Sequence, residues 1–176
     1  MARTERLAVA AFPTAWGWAA ALASAKGLRR LSWPEADEDA AWTALGDWGQ
    51  ASPDPGLGAA LVERLNRYFA GEHLSWDLPI DPHGTPFQQD VWRETATIPR
   101  GQTRTYGEVA RAIGRPASAR AVGQALRANP LPLIIPCHRV VGSDGSLCGY
   151  GGPQGIPLKA QLLTLEGAVA GPKSAE

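Results

Sequence analysis

A chain of 176 residues with 44% hydrophobic and 19% charged side chains holds enough apolar material for one medium core or two small ones. This excludes a disordered, collagen-like or disulfide-scaffold chain. Its 17 basic and 17 acidic residues cancel, so composition alone gives no reason to expect a nucleic-acid partner. The distribution does: residues 1–84 carry 7 Lys/Arg against 11 Asp/Glu, whereas residues 85–141 carry 8 Arg against 3 acids. Arginine offers a planar donor fork suited to phosphates and base edges, although a solvated helical face would give the same count.

The amino terminus mimics a secretory leader, with Arg3 and Arg6 before the apolar run Leu7–Phe12 and small residues at 21–25. Pro13, Trp16 and Trp18 interrupt that run, so a retained segment is expected. Leu7–Phe12, Trp16–Ala23 and Leu28–Trp33 predict a strand meander turned at Lys26-Gly27. Leu57, Leu61, Leu65 and Tyr68/Phe69 recur every turn and predict an amphipathic helix ended by Gly71. Pro79, Pro82, Gly84 and Pro86 then mark a boundary.

Thr85-Pro86-Phe87-Gln88 and Thr105-Tyr106-Gly107-Glu108 both have the form of a capping box. The first opens a helix that stops at Ile98-Pro99; the second opens one that buries Val109 and Ile113 and breaks at Gly114-Arg115-Pro116. A third helix runs from Ala117 to about Ala128, giving the outline of a helix-turn-helix. Ala119, Val122 and Leu126 form its apolar face, with Arg120, Gln124 and Arg127 looking outward. Ser118, Ala119, Ala121 and Gly123 are all small, which suits close approach either to a groove floor or to a neighbouring helix. Together these elements predict an α+β protein. A small strand-helix domain spans residues 1–78, a linker 79–85, a mainly helical domain with a helix-turn-helix 86–170, and a tail 171–176.

The stretch Asn129–Val141 is the most unusual in the chain. Three prolines remove donors and fix φ, which predicts an extended, rigid approach to Cys137. A cysteine followed by His138 and Arg139 suggests a thiol whose pKa is lowered by its neighbours; a buried, inert cysteine is the plainer reading. In an extended segment Cys137 and His138 point to opposite sides, so a bridging water or a turn is needed to couple them. Glu166, at the end of a helix from Pro157 and followed by Gly167, is the best partner for His138. Cys148 reads as structural. The two cysteines form no CxxC pair, which fits a reduced, cytoplasmic setting, and no apolar run reaches the ~20 residues of a membrane span.

Ile135-Pro136-Cys137-His138-Arg139-Val140, with Asn129 eight residues before the cysteine and Arg120-Ala121-Val122-Gly123 before that, resembles the O6-alkylguanine-DNA alkyltransferases, also called methylated-DNA–protein-cysteine methyltransferases. The resemblance runs through Tyr150-Gly151-Gly152 to Leu163–Gly167 and covers about residues 79–167. It implies transfer of the alkyl group from O6 of guanine to Cys137, with His138 taking the thiol proton through a water and Glu166 orienting His138. It implies Asn129 as a hinge and Tyr106 as an aid to base rotation and protonation. It also implies minor-groove binding of double-stranded DNA containing O6-alkylguanine, with Arg120 filling the gap left by the flipped base. Ser118, Ala119, Ala121 and Gly123 then lie against the groove, with Gln124 and Arg127 on the same DNA-facing side, and Val140, Tyr150 and Gly151 line the alkylguanine pocket. Gly151 departs from the serine of some members and leaves only a backbone donor there.

The thioether product has no carbonyl for water to attack, so the protein acts once. No cofactor and no metal is required, and a monomer is expected, with cooperativity on DNA left open. An alkyltransferase-like protein that binds without transfer would lack Cys137. A regulatory helix-turn-helix module would not need the proline-fixed thiol. A thiol hydrolase would not need an arginine among small residues on an exposed helix.

Overall fold

The computed structural model describes residues 5–150 and 155–168. The chain divides between His83 and Gly84 into two units.

The first unit begins with three antiparallel strands, β1 (Leu7–Thr14), β2 (Gly17–Ser24) and β3 (Gly27–Glu35). α1 (Glu38–Leu45) follows, capped by the Asp37 side chain on the Ala40 amide at 2.8 Å. The two-residue strand β4 (Ser52–Pro53) adds in parallel to β1 and completes the sheet order β3-β2-β1-β4. α2 (Pro55–Phe69) starts at Pro55, whose missing N–H costs nothing in the first turn, and buries Leu61, Leu65, Tyr68 and Phe69. The apolar run that mimics a leader, Leu7–Phe12, is paired strand, with Val9, Ala10 and Phe12 buried. The tail of the unit is tied to the meander. Leu28 donates to the Pro79 carbonyl, Asp81 N to the Leu28 carbonyl, and Arg29 and Ser24 both donate to the Asp81 carboxylate. Residues 79–81 are thus bound to the first unit.

In the second unit both capping boxes form. Thr85 and Gln88 open α3 (Pro86–Ala96), and Thr105 and Glu108 open α4 (Tyr106–Ala112), each exchanging two side-chain-to-backbone bonds. Gly114, at φ +72°, ends α4 with Arg115 N reaching back to the Ala110 carbonyl at 2.8 Å, a closure that favours glycine. α5 (Ala119–Arg127) follows as the second helix of the helix-turn-helix. Val122, Ala125 and Leu126 make its buried face; Ala119, expected there, is only half-buried. Ile113, expected to be buried with Val109, is likewise only partly covered. Trp92 of α3 pins α5 through Nε1 to the Ala125 carbonyl at 2.8 Å.

The remaining elements position the site. β5 (Arg104–Thr105) pairs in parallel with β6 (Val140–Val141), matching Thr105 to Val141. α6 (Gly155–Leu165) closes the unit. Its end is fixed by Gly167 at φ +72°, with Ala168 N donating to the Leu163 carbonyl at 2.9 Å and Gly167 N to the Thr164 carbonyl at 3.0 Å. No described helix is long and apolar enough to cross a membrane.

Candidate active site

The segment before Cys137 is folded, which corrects the extended reading. Ile135 N donates to the Leu131 carbonyl at 2.8 Å, Leu133 takes φ +72°, and Pro136 at φ −80°, ψ 65° closes a three-residue turn from Cys137 N to the Ile135 carbonyl. Proline fixes φ but leaves ψ free, so it serves turns as readily as strands. Leu131, Leu133, Ile134 and Ile135 are all buried, and an extended chain would have turned alternate ones outward. Cys137–Arg139 then form one turn of 3₁₀ helix, whose successive side chains diverge by about 120°. Cys137 faces a cleft while His138 is buried in the interior.

Asn129 ties this turn to the end of α5. Its Nδ2 donates to the Ile135 carbonyl at 2.8 Å and to Cys137 Sγ at 3.2 Å, and its Oδ1 accepts from Leu131 N at 3.0 Å. Burial pushes the Cys137 thiol up, and the Asn129 bond, the Lys159 charge and backbone amides pull only partly against it. The expectation of a lowered thiol pKa is therefore corrected: desolvation outweighs the neighbouring cations, and the resting sulfur keeps its proton.

Behind the cysteine sits a closed polar cluster. His138 Nε2 lies 3.0 Å from Glu166 Oε1, while Arg139 donates through Nε to Oε2 at 2.8 Å and through Nη2 to Oε1 at 2.7 Å. Arg139 Nη1 also holds the Ile98 carbonyl at 2.5 Å. His138 Nδ1 is buried without a hydrogen-bond partner among the described residues. Burial holds the His138 pKa below its ordinary 6.5, against the Glu166 carboxylate, which favours the charged ring. The unfolded chain thus takes the proton first. Stability from the neutral imidazole is complete above pH 6.5 and is lost as pH falls through the lower folded value. Thermal unfolding followed at decreasing pH should show the melting temperature declining from about pH 6.5.

The cleft, about 730 Å³, is lined by Cys137 at its floor, by Ala119, Arg120, Gly123, Gln124, Leu126 and Arg127 of α5, and by Tyr106, Cys148, Gly149 and Tyr150. The short β5–β6 ladder explains why Tyr106, the first residue of α4, stands near the reactive turn. Its hydroxyl donates to the Cys148 carbonyl at 3.3 Å, and burial pushes its pKa up to about 12, so it stays protonated. Lys159 is fully buried and donates to the Val140 carbonyl at 2.6 Å and the Cys148 carbonyl at 3.1 Å.

Of the residues singled out in the sequence, Cys137, Tyr106, Ala119, Arg120, Gly123, Gln124, Arg127 and Tyr150 meet at one cleft, with Asn129, His138 and Glu166 behind it. Ser118, Ala121 and Val140 are not among its lining residues. Ser118 begins α5 without a side-chain cap bond, Ala121 is exposed, and the Val140 carbonyl already accepts from Lys159. Gly151 lies outside the described residues. Cys148, read as structural, is exposed and lines the cleft. Sequence reasoning missed Arg139 and Lys159. The signal for Lys159 was a lone charge in the stripe Leu158, Leu162, Leu163.

Fold and site together define a helix-turn-helix unit that carries a cleft-facing thiol beside its exposed helix. A family model described as 6-O-methylguanine DNA methyltransferase, DNA binding domain, matches residues 86–168. The methylated-DNA–protein-cysteine methyltransferase of Mycobacterium tuberculosis is 54% identical over 115 residues, covering 65% of this chain and 68% of that protein. The constitutive methylated-DNA–protein-cysteine methyltransferase of Bacillus subtilis is 47% identical over 108 residues, covering 61% and 65%. Among solved structures, Mycobacterium tuberculosis OGT in complex with DNA matches with TM-score 0.79 and 41% identity, over 94% of this chain and 95% of that one. Mycobacterium tuberculosis O6-methylguanine methyltransferase matches with TM-score 0.73 and 38% identity, over 93% of each. The chain belongs to the methylated-DNA–protein-cysteine methyltransferase family.

Proposed function

We propose that this protein repairs DNA by taking an alkyl group from O6 of guanine onto the sulfur of Cys137. The observation that carries this reading is the Cys137 thiol on the cleft floor, backed by the buried His138–Glu166 couple and overlooked by Arg120. The thiol proton passes through a water to His138 Nδ1, the ring atom left without a partner among the described residues. The thiolate then attacks the alkyl carbon, forming a C–S bond as the C–O6 bond breaks, and the leaving guanine is reprotonated with help from the Tyr106 hydroxyl. A raised thiol pKa suits this order, since a sulfur that keeps its proton until the base accepts it is protected from stray electrophiles.

The substrate is double-stranded DNA carrying O6-alkylguanine, entered from the minor groove by α5. Arg120 occupies the place of the extruded nucleotide, Gly123 and Ala119 allow the helix to come close, and Gln124 and Arg127 contact the strand beside it. Tyr150, which lines the cleft, forms a wall of the pocket for the base. The protein works as a cytoplasmic monomer, and the domain over residues 86–170 holds all of the chemistry.

The decisive experiment is intact-mass analysis after incubation with a duplex containing one O6-methylguanine. Each chain should gain a single methyl group, at Cys137, and then stop. Turnover beyond one equivalent, or repair with Cys137 unmodified, would falsify the proposal. Arg120→Ala should slow repair of duplex DNA by a factor of about 10², from loss of about 3 kcal/mol of unstacking compensation, while melting at the wild-type temperature. Repair kinetics on duplex DNA against the free base analogue O6-benzylguanine separate the two steps, since only the duplex reaction needs the arginine.

A further inference from the structure

The cluster behind Cys137 contains one more charged group than a thiol, a base and an orienting carboxylate require. A buried imidazole whose only ionic neighbour is a carboxylate is drawn toward the imidazolium form, because an opposite charge at hydrogen-bond distance stabilises it. An imidazolium cannot accept a thiol proton. Here the carboxylate does not act alone. Arg139, 8% exposed, engages both oxygens of Glu166 at 2.8 and 2.7 Å, while His138 shares Oε1 at 3.0 Å.

We propose that Arg139 is a positioning residue for the transfer reaction: by occupying both Glu166 oxygens with a fixed positive charge, it leaves His138 uncharged, with its proton on Nε2 and Nδ1 bare. This rests on the reading of Cys137 as the alkyl acceptor. The charges balance at both ends of the proton step. Before it, Glu166 and Arg139 cancel, and Cys137 and His138 are neutral. After the proton moves from Sγ to Nδ1, thiolate and imidazolium cancel as well, so no net charge is created in the interior, where it is most costly. Glu166 then partners the new imidazolium through the bond it already makes.

The groups facing His138 are consistent with this division of labour. Burial acts most strongly to keep the ring neutral; Glu166, just beyond the end of α6, favours the charged ring, and Arg139 on the same turn and Lys159 from within α6 oppose that carboxylate. Cys137 on the same turn supplies the proton, and the Ile98 carbonyl beyond α3 faces Arg139 rather than the ring. Lysine would not serve. A single ammonium cannot reach two oxygens and the Ile98 carbonyl at once, whereas the guanidinium fork does so in one plane.

The test is a pH titration by NMR of ¹⁵N-histidine-labelled protein without DNA. The chain has three histidines, and His73 and His83 are exposed, so the His138 signal is assigned by its absence in His138→Gln. In the wild type, His138 should be a neutral ring protonated at Nε2 through neutral pH. In Arg139→Gln, which keeps donors but loses the charge, proton affinity should rise about tenfold, and the acid limb of the alkylation pH profile should move up with it. Arg139→Lys, which keeps a positive charge but loses the fork, should titrate between the wild type and Arg139→Gln, and Arg139→Gln/Glu166→Gln should fall back to or below the wild type. A role in folding alone would not give that reversal. If Arg139→Gln is unfolded in buffer, the series is run for all variants in trimethylamine N-oxide, which favours the compact state. A wild-type His138 that is charged at neutral pH, or an Arg139→Gln variant that titrates unchanged, overturns the proposal. Because the titration uses no DNA, its failure leaves the transfer reading intact. Loss of the transfer reading would show instead in the mass of Cys137.

Discussion

Cys137→Ala should bind a duplex carrying O6-methylguanine and never remove the methyl group. The fold has little reason to change, because Asn129 keeps its 2.8 Å bond to the Ile135 carbonyl and its contact from Leu131 N when the sulfur is gone. The binding surface on α5 is untouched. Transfer, by contrast, loses the atom that forms the new bond. The reaction should fall to the uncatalysed rate rather than by a modest factor. Gel-shift and intact-mass measurements on the same sample check both halves. Cys148 shares the cleft, so the peptide map must also show it unmodified. A methyl group found there, or residual repair in the alanine variant, would mean the wrong sulfur has been chosen.

Glu166→Gln should carry the next largest effect, on stability and on rate together. The carboxylate accepts from His138 and twice from Arg139, all buried. An amide of the same shape leaves the guanidinium with no counter-charge and turns an NH₂ toward a donor. Removing one partner of a buried ion pair costs about 3–5 kcal/mol, which urea unfolding will read as a lower midpoint at unchanged slope. Alkylation of Cys137 should slow by about 10² or more, the usual worth of a correctly oriented base. A variant of wild-type rate and stability would remove Glu166 from both roles.

What could be read from the residues was decided locally. Thr85 with Gln88, and Thr105 with Glu108, state their helix starts within four positions, and Gly114 and Gly167 state two ends; all four are found where the pattern places them. The stretch from Leu131 to Arg139 was not legible, because its turns answer to the burial of four apolar side chains and to Asn129, which no short window contains. Arg139 was legible as a residue beside Cys137 but not as a partner of Glu166, 27 positions away. Lys159 was hidden for a different reason. A lysine in an apolar stripe looks like an exception until the Val140 and Cys148 carbonyls that accept from it are seen. The thiol pKa was misjudged because sequence shows neighbouring charges and not the depth at which they sit.

The spacing along α6 carries a consequence of its own. Lys159 and Glu166 are seven residues apart, close to two full turns, so a cation and an anion look out from one side of the helix. One grips the exit of the cysteine turn at Val140, and the other grips its middle through His138 and Arg139. The helix therefore works as a ruler with two marks. Adding or deleting a single residue between them would swing one mark by about 100° and lift it off, even with every side chain at the cleft unaltered. Substitution of the exposed Gln161 or Thr164 should therefore be tolerated, whereas a change of length in that interval should not.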